Sequence, residues 1–190
     1  MRWRMKKLQT RHIVFWALCC SLGMFSKRLI APAANIFTDF LHIPGGIGTS
    51  FSLMFLLVAA RLVPHRWSCT IMSAVQSGLA LGFGMVGSMG GLSPIGYIVP
   101  GIAMDLALWG AEGLALSDDH GILAANIIGA LCASLTANLI VFHLRGLVLL
   151  LYLCVSATSG AFFGMLGGLL VKKLRPALKY QSIRQKSAET

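Results

Sequence analysis

The stretch GLVLLLYLCVSATSGAFFGMLGGLLV (Gly146–Val171) carries no charged side chain and stops against Lys172-Lys173. A helix rises about 1.5 Å per residue, so roughly 20 apolar residues cross the hydrocarbon core of a bilayer. This segment meets that length, and the rest of the chain resembles it in composition. Of 190 residues 56% are hydrophobic and 12% charged, with a mean hydropathy of +0.77. Soluble domains run near 45–50% apolar and about 25% charged. The length holds about six spans with short connections and leaves no room for a separate soluble domain. A nucleotide-binding fold, a zinc ribbon and a secreted disulfide scaffold are thereby excluded. The expected fold is all-α, a polytopic membrane protein of six transmembrane helices.

Working back from that last span, His143-Leu144-Arg145 is a short turn after a fifth span, about Gly121 to Phe142. The acidic turn Ser117-Asp118-Asp119-His120 precedes it. A fourth span, about Pro94 to Leu114, carries Pro100 and Asp105. A third, about Cys69 to Met89, closes in Gly87-Ser88-Met89-Gly90-Gly91. Pro64-His65-Arg66-Trp67 is a tight basic turn after the second span, about Thr49 to Val63, where Arg61 is placed to snorkel. The first run, His12 to Phe25, has a basic front that invites a signal-peptide reading. Lys27 and Arg28 separate it from Ala31-Pro32-Ala33, and apolar runs continue beyond, so a retained helix is expected. Between the first two spans, Ser26 to Gly48 is too polar to cross and too apolar for a solvated loop. Ile36, Phe37, Phe40 and Leu41 give it one apolar face, as in a short interfacial helix folded over the bundle.

The formal net charge of +10 sits mostly at the chain ends. Arg2, Arg4, Lys6, Lys7 and Arg11 precede the first span; Lys172, Lys173, Arg175, Lys179, Arg184 and Lys186 follow the last. Clusters beside apolar spans are the positive-inside pattern and favour anionic lipid over nucleic acid. Both termini are therefore expected in the cytoplasm, with the first connection a partly helical extracellular loop. The division is 1–11 as a basic N-terminus, 12–171 as the six-helix transmembrane domain, and 172–190 as a basic tail. The location is a plasma membrane, crossed many times. The five cysteines show no CxxC spacing and read as small packing residues.

Small residues let helix backbones approach in lipid. Ser156, Gly160, Gly164 and Gly168 recur every fourth residue in the last span; Gly78 and Gly82 do so in the third, Ala17 and Ser21 in the first. Internal packing is expected for the third and sixth spans, while Ala17 and Ser21 equally fit a partner helix. Asp105 is the one carboxylate placed near mid-span, either a structural hydrogen-bond partner or a ligand contact. Glu112 falls nearer the inner interface. Tyr97, Asn138, Tyr152 and Ser156 fall in the outer half, and Asn35, Asp39 and His42 in the covering segment. Together they define a candidate pocket with aromatic walls and a few hydrogen-bonding groups, suited to a small planar polar molecule. Individually, the tyrosines also fit interfacial anchors and the rest helix-to-helix bonds. No His, Cys, Asp or Glu spacing matches a metal site, and no cofactor is called for. Gly87-Ser88-Met89-Gly90 lacks the Gly-x-Ser-x-Gly pattern, and there is no Walker motif. The chain does not read as an enzyme, and a transporter of this kind needs an external energy source.

The layout resembles the substrate-specific S components of energy-coupling factor (ECF) transporters across roughly Arg11 to Arg175. The resemblance is carried by Ile43-Pro44-Gly45-Gly46-Ile47-Gly48, by Val63-Pro64-His65-Arg66-Trp67, and by the fourth span from Gly96 through Pro100-Gly101 to Asp105. The glycine-rich final helix ending in Lys172-Lys173 adds to it. It implies capture of a vitamin-like micronutrient beneath the first loop. It also implies docking onto a transmembrane coupling subunit driven by two cytoplasmic ATPase subunits, with toppling in the membrane to release cargo. Ala17-Leu18-Cys19-Cys20-Ser21 stands where the family carries Ala-x-x-x-Ala, with serine in the second place. A non-ECF scaffold, or a self-contained channel or carrier, is the other function class. The covering segment from Ala31 to Gly48 speaks for substrate binding, and a pyrimidine, a purine-like base, an indole or a flavin would each suit the residues.

Overall fold

The computed structural model describes residues 10–40, 47–63, 65–84 and 87–188. These fold into α1 (Thr10–Phe40), α2 (Ile47–Leu62), α3 (Ser68–Gly82), α4 (Ser93–Gly113), α5 (Asp118–Ala137) and α6 (Gly146–Ala188). A 3₁₀ segment, Gly87–Leu92, leads into α4, and a π-helical turn, Asn138–Phe142, ends α5. No strand occurs among the described residues. Three helical stretches are long and apolar enough to cross a bilayer: Met89–Gly113, Asp118–Phe142 and Gly146–Pro176. His12–Ser26 and Gly48–Leu62 are apolar and shorter.

The bundle is organised around α2, which packs against α1, α3, α5 and α6, while α4 bridges α3 and α5. From Leu56 to Ala60 every side chain of α2 is buried. The same core cluster holds Trp16 and Cys20 from α1, Met72 from α3, Met104 and Leu108 from α4, Ile122 from α5 and Val171 from α6. Phe51 of α2 stands edge-on to Phe163 of α6, with ring centroids 5.0 Å apart. Exposed Leu18, Leu22, Phe25, Leu150, Phe162 and Leu169 point outward, as expected where the surroundings are as apolar as the core. In that setting close packing, rather than withdrawal from water, holds helices together.

The α5–α6 seam shows what the small residues of the last span accomplish. A Cβ at Gly160 would lie 3.0 Å from the Ile127 Cα, and one at Gly164 would lie 3.1 Å from the Leu123 Cα. The ridge thus meets the backbone of α5, and internal packing is its use. The glycines of α3 differ from expectation. Among the described residues nothing lies within 4 Å of a Cβ built on Gly78 or Gly82, so this pair faces outward and packs no helix.

Two boundaries also differ. Instead of ending near Phe25 with a separate interfacial helix after it, α1 runs unbroken to Phe40. The alanines around Pro32 favour helix, and the next strong breaker is Pro44-Gly45-Gly46. Its 31 residues span about 46 Å. Conversely, α3 stops at Gly82, not Met89, because Gly84 adopts φ +66 and its N–H turns back to the Leu81 carbonyl at 3.1 Å. A left-handed glycine just past the last turn is a common helix stop. At the other end of the chain α6 continues through the basic tail to Ala188.

Gly164→Leu should lower the thermal unfolding midpoint in detergent by the equivalent of about 1–3 kcal/mol, the usual cost of overpacking. Gly78→Leu, into open space, should leave the midpoint unchanged or raise it. Equal effects of the two would remove the seam from this account.

Candidate functional site

Alternating helix directions bring Tyr97, Asn138, Tyr152 and Ser156 to the same end of the bundle, where α5 ends and α6 begins. Asn35 and Asp39 lie on the C-terminal part of α1, whose side chains are outside what is described, and His42 lies outside the described residues. Ser156 is buried and donates to the Ala130 carbonyl at 2.9 Å, while its oxygen accepts from Ser134 at 2.7 Å. Tyr152, also buried, sets its ring edge-on to Phe142 with centroids 6.1 Å apart. One turn along, Ser159 shares a 2.9 Å hydrogen bond with Ser50 of α2. Tyr97 is half-buried near the start of α4.

Asn138 closes the α5–α6 turn on itself. Its Oδ1 accepts from the Leu144 N–H at 2.7 Å, and its Nδ2 donates to the Leu144 carbonyl at 3.4 Å. The backbone carbonyl of Asn138 accepts from the His143 N–H at 2.8 Å, which ends the π-helical turn. Both polar atoms of its side chain therefore serve the turn.

Asp105 stands apart from this group, toward the opposite end and fully buried. Its Oδ1 accepts from the Cys69 N–H at 3.2 Å; its Oδ2 accepts from the Thr70 N–H at 2.8 Å and the Thr70 hydroxyl at 2.7 Å. Trp67, which precedes α3, offers no side-chain cap. The first amides of α3 are left without intrahelical acceptors, and a carboxylate from α4 fills that role. The positive end of the helix dipole stabilises the same charge. Of the two readings open for Asp105, these contacts are those of the structural hydrogen-bond partner.

At that opposite end the charges pair. Arg61, only 6% exposed, does not snorkel. Its Nη1 lies 3.2 Å from Glu112 and 3.9 Å from Asp118. Arg175 reaches Asp118 at 3.0 Å and Lys172 reaches Asp119 at 2.6 Å. Gly121 makes room, since a Cβ there would lie 2.8 Å from the Arg61 Nη2. The acidic first turn of α5, which looks out of place beside a positive-inside rule, pairs with three cations from α2 and α6.

Sequence reasoning passed over two buried amides. Gln76 of α3 donates to the Cys20 carbonyl at 3.0 Å, and Asn126 of α5 donates to the Gly160 carbonyl at 2.8 Å. An amide inside an apolar run is the visible signal in each case. Ala17 lies exposed on α1 between Val14 and Leu18, and Ser21 is half-exposed on the same flank. Among the described residues no group of three or more His, Cys, Asp or Glu is placed to hold a metal ion. No family model matches the chain, and neither a curated protein nor a solved structure is similar enough to match it.

Asp105→Ala should cost about 2–4 kcal/mol in unfolding free energy, because it strands buried donors at the start of α3. Asp105→Asn should cost less, retaining one acceptor. Chemical denaturation in a mild detergent measures both, and an alanine variant as stable as the parent would exclude the capping role.

Proposed function

We propose that this chain is the substrate-binding membrane component of an ECF-type importer. In this reading it crosses the plasma membrane six times with both termini in the cytoplasm. It captures a small vitamin-like or heterocyclic micronutrient from outside, then delivers it with a transmembrane coupling subunit and two cytoplasmic ATPases. The observation that carries the reading is a cluster of neutral buried polar side chains at one end of the bundle. Ser50, Ser134, Asn138, Tyr152 and Ser156 cluster toward the end where α5 ends and α6 begins, all uncharged. The charged residues Arg61, Glu112, Asp118 and Asp119 gather at the other end. A cluster of neutral hydroxyls and an amide where α5 ends and α6 begins is suited to holding a neutral part of a ligand there. Ala17 and Ser21 support docking, since their flank of α1 is open while the small ridge of α6 is already used inside.

A second reading, a non-ECF scaffold or a self-contained channel or carrier, is favoured by a specific observation. Asp105, Asn138 and Ser156 each already bond to protein groups. A scaffold needs nothing more of them.

Mass spectrometry of small molecules co-purifying with the detergent-solubilised protein separates the two readings. The importer reading expects a bound heterocycle; an empty protein that binds no vitamin-like compound favours the scaffold. In cells supplied with the coupling subunit and ATPases, Ala17→Trp should abolish uptake and leave ligand affinity intact. Loss of both would indicate that the flank packs the bundle instead.

A further inference from the structure

The turn between α2 and α3 holds a cation that the ion-pair network leaves out. Arg61, Lys172 and Arg175 each meet a carboxylate. Among the described residues Arg66 meets none; its guanidinium carbon instead lies 5.5 Å from the centroid of the Trp109 ring of α4. Trp67 stands edge-on to the same ring at 4.6 Å. The backbone of Trp67 is left-handed, with φ 61 and ψ 29. A bulky residue rarely adopts that conformation, which costs of order 1 kcal/mol or more. The indole is 39% exposed at the mouth of the turn. Ser68 fastens the turn, donating to the His65 carbonyl at 2.6 Å and accepting from the His65 N–H at 3.2 Å.

We infer that Arg66, steadied on Trp109 beside the exposed Trp67, is a binding site for the phosphate of an anionic phospholipid headgroup. Four physical points converge on it. A guanidinium stacked on an indole keeps its N–H edge free for phosphate oxygens. Tryptophans settle at the headgroup level of a bilayer, where an apolar ring with one N–H donor is best accommodated. The carboxylates that could compete, Glu112, Asp118 and Asp119, are engaged by other cations. Finally, Lys172, Lys173 and Arg175 of α6 lie toward the same end, adding attraction for an anionic surface. The site depends on the helical membrane bundle and not on the importer reading.

Native mass spectrometry tests it, with the full-length protein in detergent and equal amounts of phosphatidylglycerol and phosphatidylcholine of the same acyl chains. The wild type should retain phosphatidylglycerol preferentially, and the preference should shrink as sodium chloride rises. Arg66→Gln should weaken it about fivefold, the equivalent of one cation near an anionic surface. Trp109→Leu, which removes the ring beneath the guanidinium, should weaken it in the same direction. Equal retention of the two lipids by the wild type would overturn the inference, as would a preference insensitive to salt or to Arg66→Gln. Displacement of phosphatidylglycerol by millimolar inorganic phosphate would also overturn it, since the site would then belong to a free anion.

Discussion

A carboxylate inside an apolar bundle persists only where donors surround it, and Asp105 shows how this chain meets that requirement. Its oxygens take up amides that α3 cannot satisfy within itself. Two liabilities, a buried charge and an uncapped helix start, cancel each other. The bond also sets the register between α3 and α4, which fixes the turn at His65–Trp67 against the side of α4 that carries Trp109. Much of the charged end of the molecule is thus arranged by one residue of α4.

The two ends of the bundle solve the burial of polar groups in different ways. At one end, formal charges pair across α2, α4, α5 and α6: Arg61 ties the central helix to α4 and α5, and Asp118 carries the link on to Arg175 of α6. At the other, serine hydroxyls bond across α2, α5 and α6 with no ionised partner among those described. Neutral hydrogen bonds tolerate rearrangement and exchange of partners at modest cost, whereas separating a buried ion pair is expensive. Of the pairs at the charged end, Arg61–Glu112 is the one largely withdrawn from solvent and so the costly one to separate; those of Lys172 and Arg175 are exposed.

Much of this was legible in the sequence where the determinants are local. The expected spans for α4, α5 and α6 begin within a few residues of the observed helices, because long apolar runs and polar turns mark them. What was illegible depends on backbone conformation or on distant partners. The end of α3 turns on a left-handed Gly84, one glycine among several in that stretch. The continuation of α1 past Phe25 follows from the lack of a strong stop, which a drop in hydropathy conceals. In the candidate site, the positions along each helix placed Tyr97, Asn138, Tyr152 and Ser156 at one end. They did not reveal that Asn138 bonds the turn beyond it. Asp105 was singled out by type, yet its partners are backbone amides, which no pattern of side chains announces. Arg61 read as snorkelling because Glu112 and Asp118 belong to later segments of the chain.

The shortness of α3 has a consequence for the lipid itself. Its 15 residues measure about 22 Å, against a hydrocarbon layer of roughly 30 Å. Val75, Gly78 and Gly82 face outward, so among the described residues no neighbouring helix covers that flank. If α3 crosses the bilayer, as the six-span proposal has it, acyl chains beside it compress or the headgroups dip toward its ends, at a cost of some fraction of a kcal/mol for each ångström of mismatch. In that proposal one flank of the protein is matched to a thinner bilayer than α5 and α6 prefer, and the membrane thins locally beside it.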